Sequence, residues 1–191
     1  EQAAGPLAQE ITTTIQQLAM PGGQVEFVIL PMESGRFNVT GSDHVQLLVS
    51  TNPGQAAGEL GKVASGGELA RISLAIQVVT AGTRSVPTLV FDEVDVGIGG
   101  SIAEIVGQHL RKLASTQQVI CITHLPQVAA QAHRQVQVRK KQLKDTTHIE
   151  LLELSQSQRI EEIARMLGGV TITQKTLSHA KEMLEQTTPK L

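Results

Sequence analysis

A short apolar run, Thr88–Phe91, ends in two adjacent carboxylates, Asp92 and Glu93. Such a run, bounded by loop residues, is typical of a parallel strand that is buried on both faces. A glycine-rich loop, a helical pattern over Ile102–Leu113 and a second apolar run, Gln118–Thr123, come next. Strand, helix and strand in this order predict a βαβ unit with a right-handed crossover.

The residues before this unit predict two kinds of element. Apolar residues at helical spacing indicate a helix over Leu7–Met20, ended by a proline and two glycines. Two strand-like stretches, Gln24–Leu30 and Val45–Ser50, follow and should be antiparallel neighbours. A second helix should run from Ser65 to about Ala81, with Leu69, Ile72, Ala75, Ile76 and Val79 on one face.

The residues after the unit predict a hairpin and two helices. The hairpin pairs Gln135–Arg139 with His148–Leu154, and the helices cover Gln158–Leu167 and Gln174–Glu185. We therefore expect an α/β fold with a parallel core sheet, antiparallel edge strands and C-terminal helices.

Composition limits the classes of protein that this chain can belong to. Of its 191 residues 40% are hydrophobic and 18% are charged, which favours one folded domain over a disordered chain. A formal charge of −2 gives no support to nucleic-acid binding through net positive charge. Apolar runs are too short for a membrane span, and the single cysteine, Cys121, predicts a small buried side chain and a cytoplasmic protein without internal disulfides.

Ser65, Gly66, Gly67 and Glu68 stand at the start of a predicted helix. Serine followed three residues later by glutamate is typical of a capping box, which satisfies free backbone N–H groups. Two adjacent glycines would also let a phosphate approach the backbone at the helix N-terminus, where the serine hydroxyl could bind it. Both interpretations can hold at once.

Asp92 and Glu93 follow a predicted central strand, and ligand sites in open α/β sheets lie at the carboxyl ends of strands. One carboxylate could hold Mg²⁺, a role that suits Asp92, and Glu93 could orient or deprotonate the water that attacks the γ-phosphate of ATP. His124 ends the neighbouring strand and could sense that phosphate by a hydrogen bond. The alternatives are a pair of solvated loop acids and a histidine that caps the next helix.

Three further patterns predict no site. The loop Asp95–Gly100 lacks the spacing of a dinucleotide-binding motif. The basic cluster of Arg139–Lys141 with Lys144 lacks interleaved aromatic residues and indicates a solvated turn. The other five histidines are not paired at metal-ligand spacing, so we expect no zinc site.

Three segments, Val63–Ile72, Leu89–Gly100 and Ile122–Ala129, closely resemble the RecN family when they are read in order. The resemblance extends to Thr51–Gln55 and to Ile163–Gly169, and so covers nearly all of the chain after about residue 15. RecN proteins are SMC-like ATPases of bacterial double-strand break repair.

The resemblance implies a role for each candidate residue. Residues Ser65–Glu68 would be the ABC-type signature, which contacts ATP bound to a second head. Asp92 would be the Walker B aspartate and Glu93 the catalytic glutamate. Val96–Gly100 would form the D-loop, and His124 would be the switch histidine.

Two departures from the wider ABC and SMC pattern limit this transfer. Ala64 stands where the signature usually has leucine, which looks typical of RecN. Gly99 stands where the D-loop usually has aspartate, so no D-loop carboxylate role carries over, and Asp95 is not a secure substitute.

The sequence has no Walker A motif, because Gly61-Lys62 is followed by Val63 and lacks the upstream glycine. In the resembled family this motif lies in an N-terminal lobe, beyond a long coiled coil. Residues 1–20 would then be the end of the returning coiled-coil helix and residues 21–191 the C-terminal lobe of the head. A first residue of Glu1 rather than methionine also favours a piece of a longer protein.

The expected function is therefore that of the C-terminal half of an ATP-binding and ATP-hydrolysing head in recombinational DNA repair. ATP and Mg²⁺ would be its cofactors. Its partners would be the lobe with Walker A, a second head in a homodimer, and DNA through the full-length protein, in the bacterial cytoplasm at the nucleoid. The chain alone should be nearly inactive. The alternatives are a non-catalytic interaction module and the head lobe of another SMC or ABC-type ATPase.

Overall fold

The computed structural model describes residues 2–32, 39, 41–81, 86–143, 146–168 and 171–187. The chain divides into two compact units. The first unit comprises Glu1–Ile98 and Lys112–Ile122, and the second comprises Gly99–Arg111 and Thr123–Leu191. Lys144 of the basic cluster and Gly169 of the segment Ile163–Gly169 lie outside the described residues.

The first unit begins with helix α1, Ala4–Gln17, which starts and ends three residues earlier than predicted. The helix ends early because Ala19 takes a left-handed conformation with a φ of 64°. Ile11 and Ile15 are fully buried, and the Thr12 hydroxyl accepts a hydrogen bond of 3.0 Å from the Val25 amide. This bond ties α1 to the first strand.

An antiparallel sheet follows α1 in the order β1-β2-β3. Its strands are β1, Gln24–Pro31, β2, Asp43–Ser50, and β3, Gly58–Glu59. Gln24 pairs with Ser50 at one end of the β1-β2 ladder and Pro31 with Asp43 at the other, so the predicted antiparallel neighbours are confirmed.

Two helices come next, a short α2 over Leu60–Val63 and α3 over Gly66–Val79. Helix α3 packs against α1. Its buried apolar residues are Ile72, Leu74, Ala75 and Val78. The predicted apolar face was therefore partly wrong: Leu69 is exposed, and Leu74 is buried in its place.

Strands β4, Thr88–Phe91, and β5, Gln118–Cys121, form a parallel pair in which Phe91 is level with Cys121. Helix α4, Gly100–Leu113, connects them, which confirms the predicted βαβ order. The expected burial of β4 on both faces was wrong. Phe91 is buried, but Val90 is 63% exposed and its partner Ile120 is 47% exposed. Successive side chains point to opposite faces of a strand, and here one face of the β4-β5 pair is covered while the other is exposed.

The second unit contains helix α5, Pro126–Ala130, a β-hairpin and two long helices. The hairpin pairs β6, Val136–Leu143, with β7, Thr146–Glu153, and confirms the prediction with longer strands. Helices α6, Gln156–Gly168, and α7, Gln174–Gln186, pack together. The apolar core of this unit is formed by Ala129, Ala130, Ile163, Ala164, Ala180 and Leu184.

Two arginines hold the end of α5. The Arg111 Nη1 atom donates to the carbonyl of Gln131 at 2.6 Å, and the Arg159 Nη2 atom donates to that of Ala132 at 2.7 Å. The last carbonyls of a helix have no partner within it, so cationic donors stabilise them. None of the helices in the described ranges is long and apolar enough to cross a membrane.

Candidate nucleotide site at the start of helix α3

Helix α3 begins with a complete capping box. The Glu68 amide donates to the Ser65 hydroxyl at 3.4 Å, and the Ser65 amide donates to Glu68 Oε2 at 2.8 Å. The Ser65 hydroxyl also donates to Glu68 Oε2 at 2.7 Å. The hydrogen bonds from the Ser65 backbone and side chain lower the pKa of Glu68. The capping interpretation is thus confirmed, and it fixes the direction in which the first N–H groups of α3 point.

Gly66, the first residue of α3, lies against a carboxylate. A Cβ atom at Gly66 would come within 2.7 Å of Glu93 Oε2. The Glu93 side chain therefore occupies the space that any other residue at position 66 would fill. Because the N-terminus of a helix carries partial positive charge, this place suits an anion.

The turn after β4 carries the two predicted carboxylates. Glu93 has a φ of 59°, a left-handed conformation that costs a non-glycine residue about 1 kcal/mol or more. The Glu93 amide donates to Asp92 Oδ1 at 2.9 Å, and the Glu93 carbonyl accepts from the Val96 amide at 3.2 Å. Both carboxylates are exposed. A strained residue that presents an exposed carboxylate indicates a functional position.

The first unit thus brings Glu93 beside the start of α3. The sequence predicts both features, and the resemblance to RecN implies that they act on different nucleotides, one on each of two heads. Their approach within one chain was not predicted. It depends on how α3 and the turn after β4 pack, and no local pattern links residues that are 27 positions apart.

Asp95 faces inward rather than toward solvent, with 3% exposure. Burial of Cys121, followed by the charges of Asp95 and Asp92, raises the pKa of the Cys121 thiol to about 12. Cys121 is half-buried and stays a neutral thiol, close to the expected small apolar side chain.

His124 lies further from the strand than predicted, because β5 ends at Cys121. Leu125 occupies the N-cap position of the helix that follows, so His124 is not its N-cap residue. The Thr123 hydroxyl accepts from the Leu125 amide at 3.0 Å and shapes this connection. His124 belongs to the second unit, and its role beside Asp92 stays a prediction.

The donor set suits Mg²⁺ bound together with a nucleotide. Within the described part of the chain, no group of three or more His, Cys, Asp or Glu residues could hold a metal ion alone. Mg²⁺ in phosphoryl-transfer sites is held by one or two carboxylates with substrate phosphates and water. The exposed carboxylate of Asp92 meets this requirement.

Comparison with solved structures identifies the fold. The structure resembles a chain from a study of ATP-driven dimerization and DNA-stimulated activation of SMC ATPases, with a TM-score of 0.51, 16% identity and coverage of 86% of this chain and 93% of that chain. It also resembles the Smc head domain with a coiled coil and joint from Pyrococcus yayanosii, with a TM-score of 0.57, 19% identity and coverage of 82% of this chain and 28% of that chain. The fold is that of the C-terminal lobe of an SMC-type head.

Sequence relatives narrow this class to a family. The chain is 47% identical over 184 residues to DNA repair protein RecN of Xylella fastidiosa and 49% identical over 181 residues to that of Vibrio cholerae, which is 96% and 95% of this chain. It spans about a third of the length of these curated relatives, 33% and 32%. Over that span the chain belongs to the RecN family and corresponds to a C-terminal part of its members. No protein-family model matches it.

Proposed function

We propose that this chain is the C-terminal part of an ATP-binding and ATP-hydrolysing, SMC-like head that acts in DNA repair. Support comes from relatives named as DNA repair proteins and from a structural neighbour studied for ATP-driven dimerization. The observation that carries the proposal is the position of Glu93, whose carboxylate lies at the N-terminus of helix α3. One unit thus presents an anion-binding helix start and the exposed carboxylates that phosphoryl transfer requires.

The start of α3 would bind the γ-phosphate of ATP on a second head. The capping box holds the first backbone N–H groups of α3 in place, and Ser65 adds a hydroxyl. Gly66 and Gly67 carry no side chain that would keep a phosphate away from these groups. The second head would contact this one in the same way, so that two heads close on two ATP molecules.

Glu93 would act on the ATP molecule of its own head. Its carboxylate would accept a proton from the water that attacks the γ-phosphate, as the oxygen of that water forms a bond to phosphorus and ADP leaves. Asp92 would hold Mg²⁺, which neutralises charge on the phosphates when bound. Glu93 lies against Gly66, so its carboxylate would have to move away from α3 when a phosphate binds there.

The remaining parts lie outside the described site. The lobe with Walker A would bind the β-phosphate, since this sequence lacks that motif. His124 would report the γ-phosphate from the end of the β5 connection. DNA would bind to the full-length protein, in the bacterial cytoplasm at the nucleoid.

The test is the Glu93→Gln variant of the full-length protein. Loss of the general base should lower the ATPase rate by about 10² to 10⁴ and leave ATP binding intact. ATP-bound dimers should therefore accumulate, and light scattering should detect them. Glu161→Gln is the matched control, because Glu161 is an exposed glutamate on α6, far along the sequence from the site. Equal ATPase rates in the two variants, or no ATP-dependent dimer in the wild type, would leave only an interaction module.

A further inference from the structure

The Arg71 side chain connects α3 to the loop after the carboxylates. It is 6% exposed, and its Nη1 atom donates to the Val96 carbonyl at 2.9 Å. Val96 lies three residues after Glu93, and its own amide donates to the Glu93 carbonyl at 3.2 Å. A single arginine on α3 is therefore bonded to the turn that holds Glu93 in its left-handed conformation.

Gly67 makes this contact possible. A Cβ atom at Gly67 would lie 3.2 Å from each of three atoms, namely Arg71 Nη1, the Val96 Cβ and the Val96 carbonyl oxygen. That distance is tighter than ordinary side-chain packing, so the loop rests directly on the Gly67 backbone. Gly66 faces Glu93, whereas Gly67 is buried under Val96. The two glycines of the motif thus have different neighbours.

The guanidinium is costly to bury. Its Nε atom has no hydrogen-bond partner among the described residues. An unsatisfied buried donor costs about 1 to 3 kcal/mol, and an apolar side chain of similar volume is often as stable or more stable in such a place. Stability alone does not account for an arginine here. Its specific contribution is the bond to the Val96 carbonyl.

We infer that Arg71 is a positioning residue that holds the turn of Glu93 against the start of α3, where Val96 packs on the Gly67 backbone. This contact of Arg71, Val96 and Gly67 is called the lock below. The inference rests on the proposed function, because it gives this lock a task in ATP hydrolysis. The lock would keep the surface that receives the second head's ATP in register with the carboxylate that acts on the first. Arg71 would act through the turn of Glu93 and not by contact with either nucleotide.

The test compares two buried arginines in the full-length protein. Arg159 on α6 is 9% exposed, also has an unpartnered Nε, and bonds to the carbonyls of Ala132 and His133 in the second unit. Arg71→Met and Arg159→Met should therefore change the free energy of unfolding by similar amounts. Only Arg71→Met should lower kcat, by about tenfold to a hundredfold at a nearly unchanged KM for ATP, since small displacements of catalytic groups have effects of this size.

Hydrogen exchange of the Val96 amide gives a readout that does not depend on ATP. Arg71→Met should accelerate it at least about tenfold, Arg159→Met should leave it unchanged, and Arg71→Lys, which keeps a donor, should recover part of both losses. Gly67→Ala should likewise accelerate exchange of the Val96 amide, because its Cβ would push Val96 outward.

Two results would overturn the inference. One is equal Val96 exchange in Arg71→Met and Arg159→Met, and the other is a kcat in Arg71→Met equal to that in Arg159→Met. A wild-type protein without ATPase activity would instead refute the proposed function, and the exchange measurement would still decide whether the lock exists.

Discussion

Helices α3 and α6 begin with the same local device in different surroundings. Ser65 and Glu68 form the capping box of α3, and Ser155 and Gln158 form that of α6. The corresponding distances agree, since the serine amide donates to the side chain three residues on at 2.8 Å in α3 and 2.9 Å in α6. In both boxes the backbone amide of the third helical residue, Glu68 or Gln158, donates to the serine hydroxyl at 3.4 Å.

The two helix starts differ in what stands beside the box. In α3 the first two residues are Gly66 and Gly67, one against the Glu93 carboxylate and one under Val96. In α6 the same places hold Gln156 and Ser157, which are exposed side chains. A capping box therefore identifies a helix start and nothing more. The bare backbone and the approaching carboxylate separate a candidate site from a structural cap.

The largest effect should come from placing alanine at the first residue of each helix. Gly66→Ala places a Cβ within 2.7 Å of Glu93 Oε2, the flexible end of that side chain, so Glu93 should move while the fold stays intact. We expect the ATPase rate of the full-length protein to fall about a hundredfold with little change in Tm. Gln156→Ala should change neither quantity. Equal ATPase rates in the two variants would contradict a nucleotide site at the start of α3.

Removal of the capping hydroxyls should have a smaller effect. Ser65→Ala and Ser155→Ala should each destabilise their helix by about 1 kcal/mol, because each leaves one N–H group without its cap. At matched folded fractions, only Ser65→Ala should lower the ATPase rate, by about tenfold, the order of one lost hydrogen bond to a charged group. Chemical denaturation and steady-state kinetics measure the two quantities. An equal loss of ATPase activity in Ser155→Ala would show that the start of α3 is no more important for hydrolysis than the start of α6.

The smallest expected difference is in pH dependence. The pKa of Glu68 is lowered in the folded chain, so its contribution to stability is present above the ordinary carboxyl pKa and is lost as the pH falls below about 4. Gln158 does not titrate. Amide exchange at Glu68 should therefore accelerate in acid more than exchange at Gln158, after correction for the intrinsic rate. Glu68→Gln should abolish the difference, and a difference that persists in it would refute Glu68 as the cause.

Much of this arrangement could be predicted from local sequence. The apolar run Thr88–Phe91 predicted strand β4. The order of strand, helix and strand predicted a parallel pair, which the pairing of Phe91 with Cys121 confirms. The serine and glutamate of the α3 capping box lie three positions apart, so their geometry is local. Such features depend on neighbours along the chain, which a sequence displays directly.

Other features could not be predicted because they depend on tertiary neighbours. The pattern of β4 fits a strand covered on both faces, yet the described residues leave Val90 and Ile120 open. Neither the left-handed turn of Glu93 nor its contact with Gly66 has a local signal. Arg71 did have one: a charged residue among buried positions of α3, six residues after Ser65, is a candidate for a specific bond.

Mixing two inactive full-length variants tests directly whether Ser65 acts on the ATP molecule of a second head while Glu93 acts on that of its own head. Ser65→Arg should block the signature and Glu93→Gln should remove the base, so each homodimer should be nearly inactive. A mixed dimer contains one complete site, formed by Glu93 of the first variant and Ser65 of the second. Mixing should therefore restore ATP hydrolysis toward half of the wild-type rate per mixed dimer. No recovery, with mixed dimers shown to form, would contradict this division of roles.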